Sequence, residues 1–293
     1  MKHKSLQFFG NLSIFIVLPL VPLLIFWFIP LAVSFWLSTT DWDYISPVIE
    51  SVGIGNYQTI MNSSVFHEVL KNTAVFTLWT VIPTIILGFL AAILIQQIEK
   101  GRSLLKTLIF SPWFTPTVAI SIVWSWIFQP DIGVLNQVLG WFNLPQPTWL
   151  QSSDYAMWAI IIVTVWKGIG WCMLFYCDAI ERIPKDIIEV CQLEGTGPWQ
   201  MIKTVYLPYT SPTSLFLIVT TIISSLQAYD QIQVMTQGGP SGSTRTLLYY
   251  YYQLAFEQFD MGMATALATI ILVITGLISL LQFGLSKYWV HYQ

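Results

Sequence analysis

Charge is scarce in this sequence. Asp, Glu, Lys and Arg make up only 9% of its 293 residues, whereas a soluble globular domain has about 25%. Hydrophobic residues make up 55% and aromatic residues 15%. The composition therefore predicts a membrane protein, and the few basic residues form no patch of the kind that binds nucleic acid.

The sequence also lacks the motifs of membrane-bound catalysts. It contains no G-x-x-x-x-G-K-[ST] phosphate loop, no H-E-x-x-H zinc motif and no G-x-S-x-G nucleophile motif. Its three cysteines, Cys172, Cys177 and Cys191, have no metal-ligand spacing and are expected to fill apolar space. The residues therefore predict no catalytic site, no metal site and no ATP hydrolysis by this chain.

Stretches without charge, apart from one lysine inside the fourth, predict six transmembrane helices, since a helix needs about 20 apolar residues to cross the hydrocarbon core. They cover residues 12–37, 72–98, 107–129, 155–178, 212–230 and 261–286. The first stretch is too long for the core of a secretory signal, and no small-residue cleavage site follows it, so we expect it to remain as a helix. The prediction is an all-α, polytopic fold in which residues 1–293 form one transmembrane domain.

A seventh uncharged stretch follows Gly133, and the distribution of Lys and Arg decides whether it crosses the membrane. With six spans and a cytoplasmic N-terminus, the outer side holds only Lys71 and Arg245. The inner side then holds Lys2, Lys4, Lys100, Arg102, Lys106, Arg182, Lys185, Lys203 and Lys287. A seventh span would bring the two sides almost level. We therefore prefer six spans, with both termini cytoplasmic and the seventh stretch an external loop.

A polar segment, residues 181–211, separates the fourth and fifth spans. Apolar residues at near-helical spacing follow Pro184, which suits the first turn of a helix. Gly195 and Gly197 can adopt the left-handed conformation that ends a helix. We therefore expect a short helix from Pro184 to about Glu194.

A second short helix is expected to begin at Pro198. Its Trp199, Ile202 and Tyr206 are spaced to share one face. Pro208 and Pro212 are expected to break it before the fifth span. The apolar stripe of such a pair either packs on the chain's own spans or docks into a partner's groove. DNA recognition is excluded because the pair carries too few basic residues.

The loop sequence EVCQLEGTGPWQMIKTVYLPYTSP resembles the EAA loop of ABC importer membrane subunits, in which Glu is followed by an acidic residue and Gly and then by Leu-Pro. Nearly the whole chain is similar to the carbohydrate-uptake branch of that family, the maltose-type and glycerol-phosphate-type permeases. The similar stretches are SPWFTPTVAISIVWSWIFQPDIGVLN, VTVWKGIGWCMLFYCDAIERIPKDIIE, AYDQIQVMTQGGP and YYQLAFEQFDMGMATALA. The resemblance implies a type I ABC importer permease fold.

The resemblance also implies that the helix-turn-helix of residues 184–208 couples this chain to a separate ATPase. The residues it assigns to that contact are Glu189, Val190, Cys191, Glu194, Gly195, Thr196 and Pro208. The usual Ala-Ala, Asp and Ala of the motif are replaced here by Val190, Cys191, Glu194 and Thr196. These departures affect the fit to the partner rather than the coupling role.

Polar residues inside a span are costly unless they are paired or hydrated, so they indicate a cavity. Lys167, halfway along the fourth span, lines the pore, pairs with a buried carboxylate or extends to the membrane surface. The family's mid-membrane sugar site, carried over by motif, falls on Trp113, Thr117, Thr164, Gly168, Trp171, Ser224, Ser225 and Ala228. Related maltose-type subunits have an amide-bearing residue where this chain has Ala228, and Gln227 offers an amide beside it.

The resemblance implies a pore subunit of an importer for a sugar, oligosaccharide or related glycoside, in the cytoplasmic membrane of a bacterium. Its implied partners are a second homologous permease, two ABC ATPase domains that hold ATP and Mg, an extracytoplasmic solute-binding protein and membrane lipid. It implies no cofactor on this chain. A self-contained secondary transporter would instead need ion-coupling carboxylates in the spans and inverted repeats, and an embedded enzyme would need a catalytic constellation.

Overall fold

The computed structural model describes residue 15 and residues 17–291, and this part of the chain is largely α-helical. Four helices are long and apolar enough to cross a membrane, and two bent pairs of shorter helices bring the number to six if each pair counts as one span. The described residues contain no β-strand, and their β-type pairing is an isolated bridge between Thr40 and Ser51. The all-α, polytopic prediction is confirmed.

The helices are numbered here in chain order. The apolar helices are α1 (Val17–Leu37), α3 (Ser64–Gln96), the bent pair α4 (Arg102–Phe114) and α5 (Thr117–Ile127), α7 (Ala156–Glu181), the bent pair α9 (Pro198–Tyr209) and α10 (Ser211–Leu226), and α13 (Met261–Ser286). The short helices are α2 (Gly55–Asn62), α6 (Val134–Trp141), α8 (Lys185–Leu193), α11 (Asp230–Met235) and α12 (Leu247–Tyr252). The predicted start of the first span at residue 12 lies outside the described residues, as do Lys2 and Lys4.

The chain divides into two compact units, of which the first combines the described residues up to Ser63 with Tyr251–Leu272. In it, the side-chain amide of Asn56 donates hydrogen bonds to the carbonyl oxygens of Ser38, at 3.0 Å, and Thr40, at 2.7 Å. A β carbon at Gly262 would lie 2.0 Å from the Thr40 carbonyl oxygen. The start of α13 therefore packs on the segment after α1 only because glycine stands there.

The second unit combines Ser64–Tyr250 with the residues from Val273 onward. Glycines allow its central helices to approach closely, as small residues do at helix contacts in lipid. A β carbon at Gly88 of α3 would lie 2.5 Å from the β carbon of Cys172 in α7. One at Gly170 of α7 would lie 2.2 Å from the carbonyl oxygen of Ile109 in α4. Helix α7 is thereby held against both α3 and α4.

The third apolar segment is not one continuous helix, because α4 and α5 meet at an angle of 97°. Thr115 at the break has an extended backbone, with φ −74° and ψ 133°. It precedes Pro116, whose ring disfavours the helical conformation of the residue before it. The bend therefore follows from the local sequence.

A second bend, of 71°, separates α9 from α10 at Thr210. The predicted break thus lies between Pro208 and Pro212, but Pro208 itself lies inside α9 rather than at its end. Residues Ile202–Tyr206 widen there into a π-helical turn. This wider turn gives the proline ring room that a regular α-helix lacks.

The seventh uncharged stretch contains α6, whose eight residues are too few to cross a membrane. The side-chain amide of Asn136 donates to the carbonyl oxygens of Pro130, at 3.0 Å, and Pro147, at 3.1 Å. The indole N–H of Trp149 donates to the Asn136 side-chain oxygen at 2.8 Å. The stretch is therefore a folded loop, in agreement with the six-span interpretation.

Candidate functional site

A cavity of about 260 Å³ lies among α3, α7, α10 and the bent pair α4 and α5. Eight of the ten residues predicted for a substrate path line it, namely Trp113, Thr117, Thr164, Lys167, Gly168, Trp171, Ser224 and Ser225. They come from the bent pair α4 and α5, from α7 and from α10, three segments that are far apart in the sequence. The cavity therefore brings most of the predicted set together, while contact with a substrate stays a prediction.

The other two predicted residues lie elsewhere. Ala228 is buried in an apolar cluster, and its carbonyl oxygen accepts a hydrogen bond from the Thr246 hydroxyl at 3.0 Å. Gln227 follows the last residue of α10 and is exposed. Neither residue is in the lining of the cavity, so the amide expected beside Ala228 is not part of it.

Two tryptophans form an aromatic wall of the cavity. The rings of Trp113 in α4 and Trp171 in α7 stack with centroids 4.9 Å apart and an interplanar angle of 19°. The ring of Phe175, which is not in the lining, packs on Trp171 with centroids 4.6 Å apart. Flat apolar faces beside hydroxyl groups suit a ligand that has both C–H faces and polar edges.

Another wall of the cavity carries hydroxyl groups from α3. Gly168 leaves room for it, since a β carbon there would lie 2.9 Å from the Thr84 methyl group. Thr80 and Thr84 are 2% and 1% exposed. Within the described chain, their hydroxyl groups have no hydrogen-bond partner. An unpaired buried hydroxyl costs free energy.

Sequence reasoning missed this hydroxyl wall. Thr80 and Thr84, four positions apart in a mostly apolar stretch, form a short polar stripe on one face of α3. That stripe is the pattern that predicts the wall. Thr220, Thr221 and Gln231 complete the polar part of the lining.

Lys167 lies in the cavity lining and is half-buried. Its ammonium group donates a hydrogen bond to the Thr117 hydroxyl at 2.6 Å. Within the described chain no carboxylate oxygen lies within 4.0 Å of it. Of the three possibilities that the sequence leaves open, the structure therefore fits cavity lining and not a direct buried ion pair.

Helix α8, in the predicted coupling loop, ends as expected. Gly195 adopts the left-handed conformation, with φ +73°. Its N–H donates to the Gln192 carbonyl at 3.1 Å, and the N–H of Thr196 donates to the Cys191 carbonyl at 2.9 Å. This Schellman pattern satisfies the last carbonyl groups of the helix. The same prediction is wrong for Gly197, which is extended with φ −69° and ψ 161° because it is the N-cap of α9.

The helix pair has apolar residues on two sides. Ile187, Ile188 and Cys191 of α8 pack against the chain's own buried cluster. Val190 and Leu193 point outward and are 52% and 88% exposed. One face of α8 is thus covered by this chain and the other is uncovered, so packing on the chain's own helices applies to one face, while docking of the other into a partner stays a prediction.

The second helix departs from its predicted face. Ile202 and Tyr206 pack on the buried cluster, but Trp199 is 67% exposed. The π-helical turn of Ile202–Tyr206 changes the angular register between Trp199 and the residues that follow it. Trp199 therefore adds its ring to the uncovered apolar surface, with the Lys203 ammonium 5.3 Å from the ring centroid.

A charged cluster joins three helices just before this loop. One carboxylate oxygen of Glu181, at the end of α7, accepts hydrogen bonds from Arg102 at 2.6 Å and Lys106 at 2.8 Å, both in α4. Gln96, at the end of α3, lies 3.4 Å from the same oxygen. The sequence gives no local sign of this cluster, because its members are more than 70 positions apart.

Known proteins resemble this chain along most of its length. Residues 84–288 match the model of a family described as binding-protein-dependent transport system inner membrane component. The probable ABC transporter permease protein YesP of Bacillus subtilis is 31% identical over 279 residues, which cover 94% of this chain and 89% of that protein. The multiple sugar-binding transport system permease protein MsmF of Streptococcus mutans is 28% identical over 273 residues, which cover 93% and 94%.

The fold also resembles a solved structure. One chain of a bacterial alginate ABC transporter, solved in complex with an alginate pentasaccharide-bound periplasmic protein, matches with a TM-score of 0.85. The match covers 97% of this chain and 96% of that chain at 22% identity. At this identity the likeness shows a shared fold.

Proposed function

The chain belongs to the family of binding-protein-dependent transport system inner membrane components, and we propose that it is a pore-forming permease subunit of an ATP-driven ABC importer for a sugar, oligosaccharide or related glycoside. One observation carries the proposal. A cavity with an aromatic wall and a hydroxyl wall lies among the apolar helices, and the same chain presents an uncovered apolar helix outside them. A transport path and a docking element are the two parts that such a subunit needs.

The sugar is proposed from the cavity and from the names of relatives. Stacked indole rings offer apolar faces to the C–H surface of a pyranose, and hydroxyl groups offer partners to its edge. MsmF is named for multiple sugar-binding transport. The proposed role is passage of the sugar without chemical change.

Helix α8 is the proposed contact with the ATPase. Glu189, Val190 and Glu194 lie on its exposed side, and Gly195 ends it. Nucleotide energy reaches the cavity only through an element that makes different contacts in different states of the ATPase. A short helix with a fixed C-terminal cap, packed by its other face on the bundle, can pass such a motion on.

The complete machine would contain a second homologous permease, two ABC ATPase domains that bind ATP and Mg, and an extracytoplasmic solute-binding protein. It would lie in the cytoplasmic membrane of a bacterium, with both termini of this chain in the cytoplasm. This chain itself would hold no cofactor. A self-contained secondary transporter is the competing function.

Purification from the native membrane separates the two functions. A tagged copy of the chain should co-elute with an ATPase and a second permease, and vesicles that contain the complex should take up labelled oligosaccharide with ATP and binding protein present. Uptake by the chain alone, driven by an ion gradient and indifferent to ATP, would establish the secondary transporter instead.

The position of α8 is testable with the chain's own thiols. Cys172 and Cys177 are buried, whereas Cys191 is partly accessible. A membrane-impermeant maleimide should modify Cys191 in inside-out vesicles and not in intact cells, with Cys191→Ser as the control. Modification of Cys191 in intact cells would place α8 on the outer side and remove the coupling role.

A further inference from the structure

The cavity has an unequal charge balance. Among the residues of its lining, the charged side chain is Lys167, and no Asp or Glu accompanies it. The remaining polar groups are hydroxyls, the Cys172 thiol and one amide, none of which neutralises an ammonium group. The cavity of the described chain is therefore a cationic site.

Some hydroxyl groups of the lining donate to backbone carbonyl groups of their own helix. Thr164 donates to the Ile160 carbonyl at 2.8 Å, and Thr220 donates to the Phe216 carbonyl at 2.9 Å. The buried hydroxyls of Thr80 and Thr84 have no partner in the described chain. The lining therefore combines an ammonium group with two buried hydroxyls that have no partner in the described chain.

Lys167 has donor capacity left. An ammonium group has three N–H donors, and the Thr117 hydroxyl is its hydrogen-bond partner among the described side chains. Asp230 acts on it only through its longer-range field, lies outside the lining and is exposed. A cation among apolar helices is costly unless an opposite charge or water compensates it. A ligand that brings a negative charge supplies what the chain does not.

We propose that the substrate is an acidic glycoside, whose anionic group pairs with Lys167 while its sugar ring lies against the Trp113–Trp171 wall. The anion is a carboxylate, as in a uronic acid, or a phosphate ester, since an ammonium group binds either as a point charge. This inference rests on the proposed function, because it names the substrate class of the same cavity.

Matched substrates test the charge alone. The whole importer, with its binding protein and ATPases, is placed in vesicles, and ATP-dependent uptake of digalacturonic acid is compared with that of galactobiose. Glucose 6-phosphate and glucose form the second pair. Uptake of one acidic member should exceed that of its neutral counterpart roughly 10- to 100-fold, the range expected for a hydrogen bond to a charged group. The pair that shows the difference identifies carboxylate or phosphate as the anion.

Substitutions assign the preference to this residue. Lys167→Met removes the charge and keeps the length, and should lower uptake of the acidic sugar roughly 10- to 100-fold without lowering uptake of the neutral one. Lys167→Arg should retain the preference for the acidic sugar. Lys71→Met, which removes an exposed cation from α3, is the matched control and should behave as the wild type.

The outcomes are separable. Faster uptake of the neutral member, or wild-type uptake of the acidic sugar by Lys167→Met, overturns the acidic substrate and leaves the importer in place. Equal losses of acidic and neutral uptake in Lys167→Met also overturn it, because the residue would then serve the pore or its assembly. If Lys167→Met fails to assemble, the ratio of acidic to neutral uptake by the wild-type importer, measured within each pair, tests the proposal. Absence of ATP-dependent uptake of every sugar contradicts the proposed function first.

Discussion

Helix α7 holds one charged side chain at its middle and another at its end, and the two have opposite surroundings. Glu181, at the end, accepts hydrogen bonds from two cations of α4. Lys167, at the middle, has a hydroxyl partner and no carboxylate within contact distance in the described chain. Both lie near α4 and its continuation α5, with Gly170 between them. The compensated charge fastens helices together, whereas the uncompensated one faces a cavity.

This difference separates structural charges from ligand-binding charges. An ion pair that joins helices is complete within the chain, so its loss affects stability. A charge that awaits a ligand adds nothing to stability and its removal affects transport. We therefore expect substitution of Glu181 to lower stability and substitution of Lys167 to lower transport.

The largest expected effect comes from Gly170. Its contact with α4 lies between Lys167 and Glu181 on α7. In Gly170→Ala the new β carbon would lie 2.2 Å from the backbone carbonyl oxygen of Ile109. A backbone atom cannot rotate away, so we expect a loss of more than about 3 kcal/mol in the free energy of unfolding. Size-exclusion chromatography in detergent should show little monodisperse protein. Gly276→Ala, where a β carbon meets no atom within 4 Å, should elute normally.

The next prediction concerns Lys167 and Glu181: replacing the first should lower uptake and not stability, and replacing the second should lower stability and not uptake. Lys167→Met should leave the thermal unfolding midpoint unchanged or raised, because it removes an uncompensated charge, while uptake of an acidic sugar falls. Glu181→Gln should lower stability by about 1 kcal/mol, or roughly 2–4 °C in the midpoint, since the pairs are partly exposed. Its uptake should match the wild type once protein amounts are equal. The same response in both variants would contradict the comparison.

A smaller effect on transport than that of Lys167→Met is expected beyond the end of α7, in the cap of α8. Gly195 and Gly197 both have open space where a β carbon would go, but only Gly195 has a positive φ. Gly195→Ala should therefore cost about 1–2 kcal/mol and loosen the end of α8, and sugar carried per ATP hydrolysed should fall several-fold. Gly197→Ala is the matched control and should couple normally. Equal coupling in both variants would show that the cap does not transmit the ATPase motion.

The smallest effect concerns an exposed pair on the same helix. Asp178 and Arg182 lie 2.8 Å apart at i, i+4, with side chains 63% and 77% exposed. Because solvent screens such a pair, Asp178→Asn should change stability by about 0.5 kcal/mol or less. Thermal unfolding beside Glu181→Gln measures the difference. A larger shift in Asp178→Asn would mean that pairing alone, without the link between helices, sets the stability.

Lipid makes part of this fold easy to predict. Each span must satisfy its backbone within a helix of sufficient length, so the six uncharged stretches overlap the apolar helical segments of the structure. The end of α8 was also predictable, because Gly195 has a conformation that other residues avoid. Such features depend on a few neighbouring residues.

Features that depend on distant residues were not predictable in the same way. The Glu181 cluster joins positions more than 70 residues apart, and no local pattern indicates which cations Glu181 meets. The hydroxyl wall was visible as a stripe on α3, yet threonine in a membrane helix often bonds its own carbonyl groups, as Thr73 does to Val69 at 2.8 Å. Sequence alone does not tell a satisfied threonine from an unpaired one.

The two bends share a feature with a consequence for movement. Proline flanks each of them at a spacing of four, with Pro112 and Pro116 around Thr115 and Pro208 and Pro212 around Thr210. Proline has no N–H, so a backbone hydrogen bond that would stabilise a straight helix is missing on each side of both bends. The α3–α7 contact at Gly88 is too tight to slide. We therefore expect α3 and α7 to move together as one rigid pair. The bends at Thr115 and Thr210 would then act as hinges, and α3 and α7 would not slide past each other.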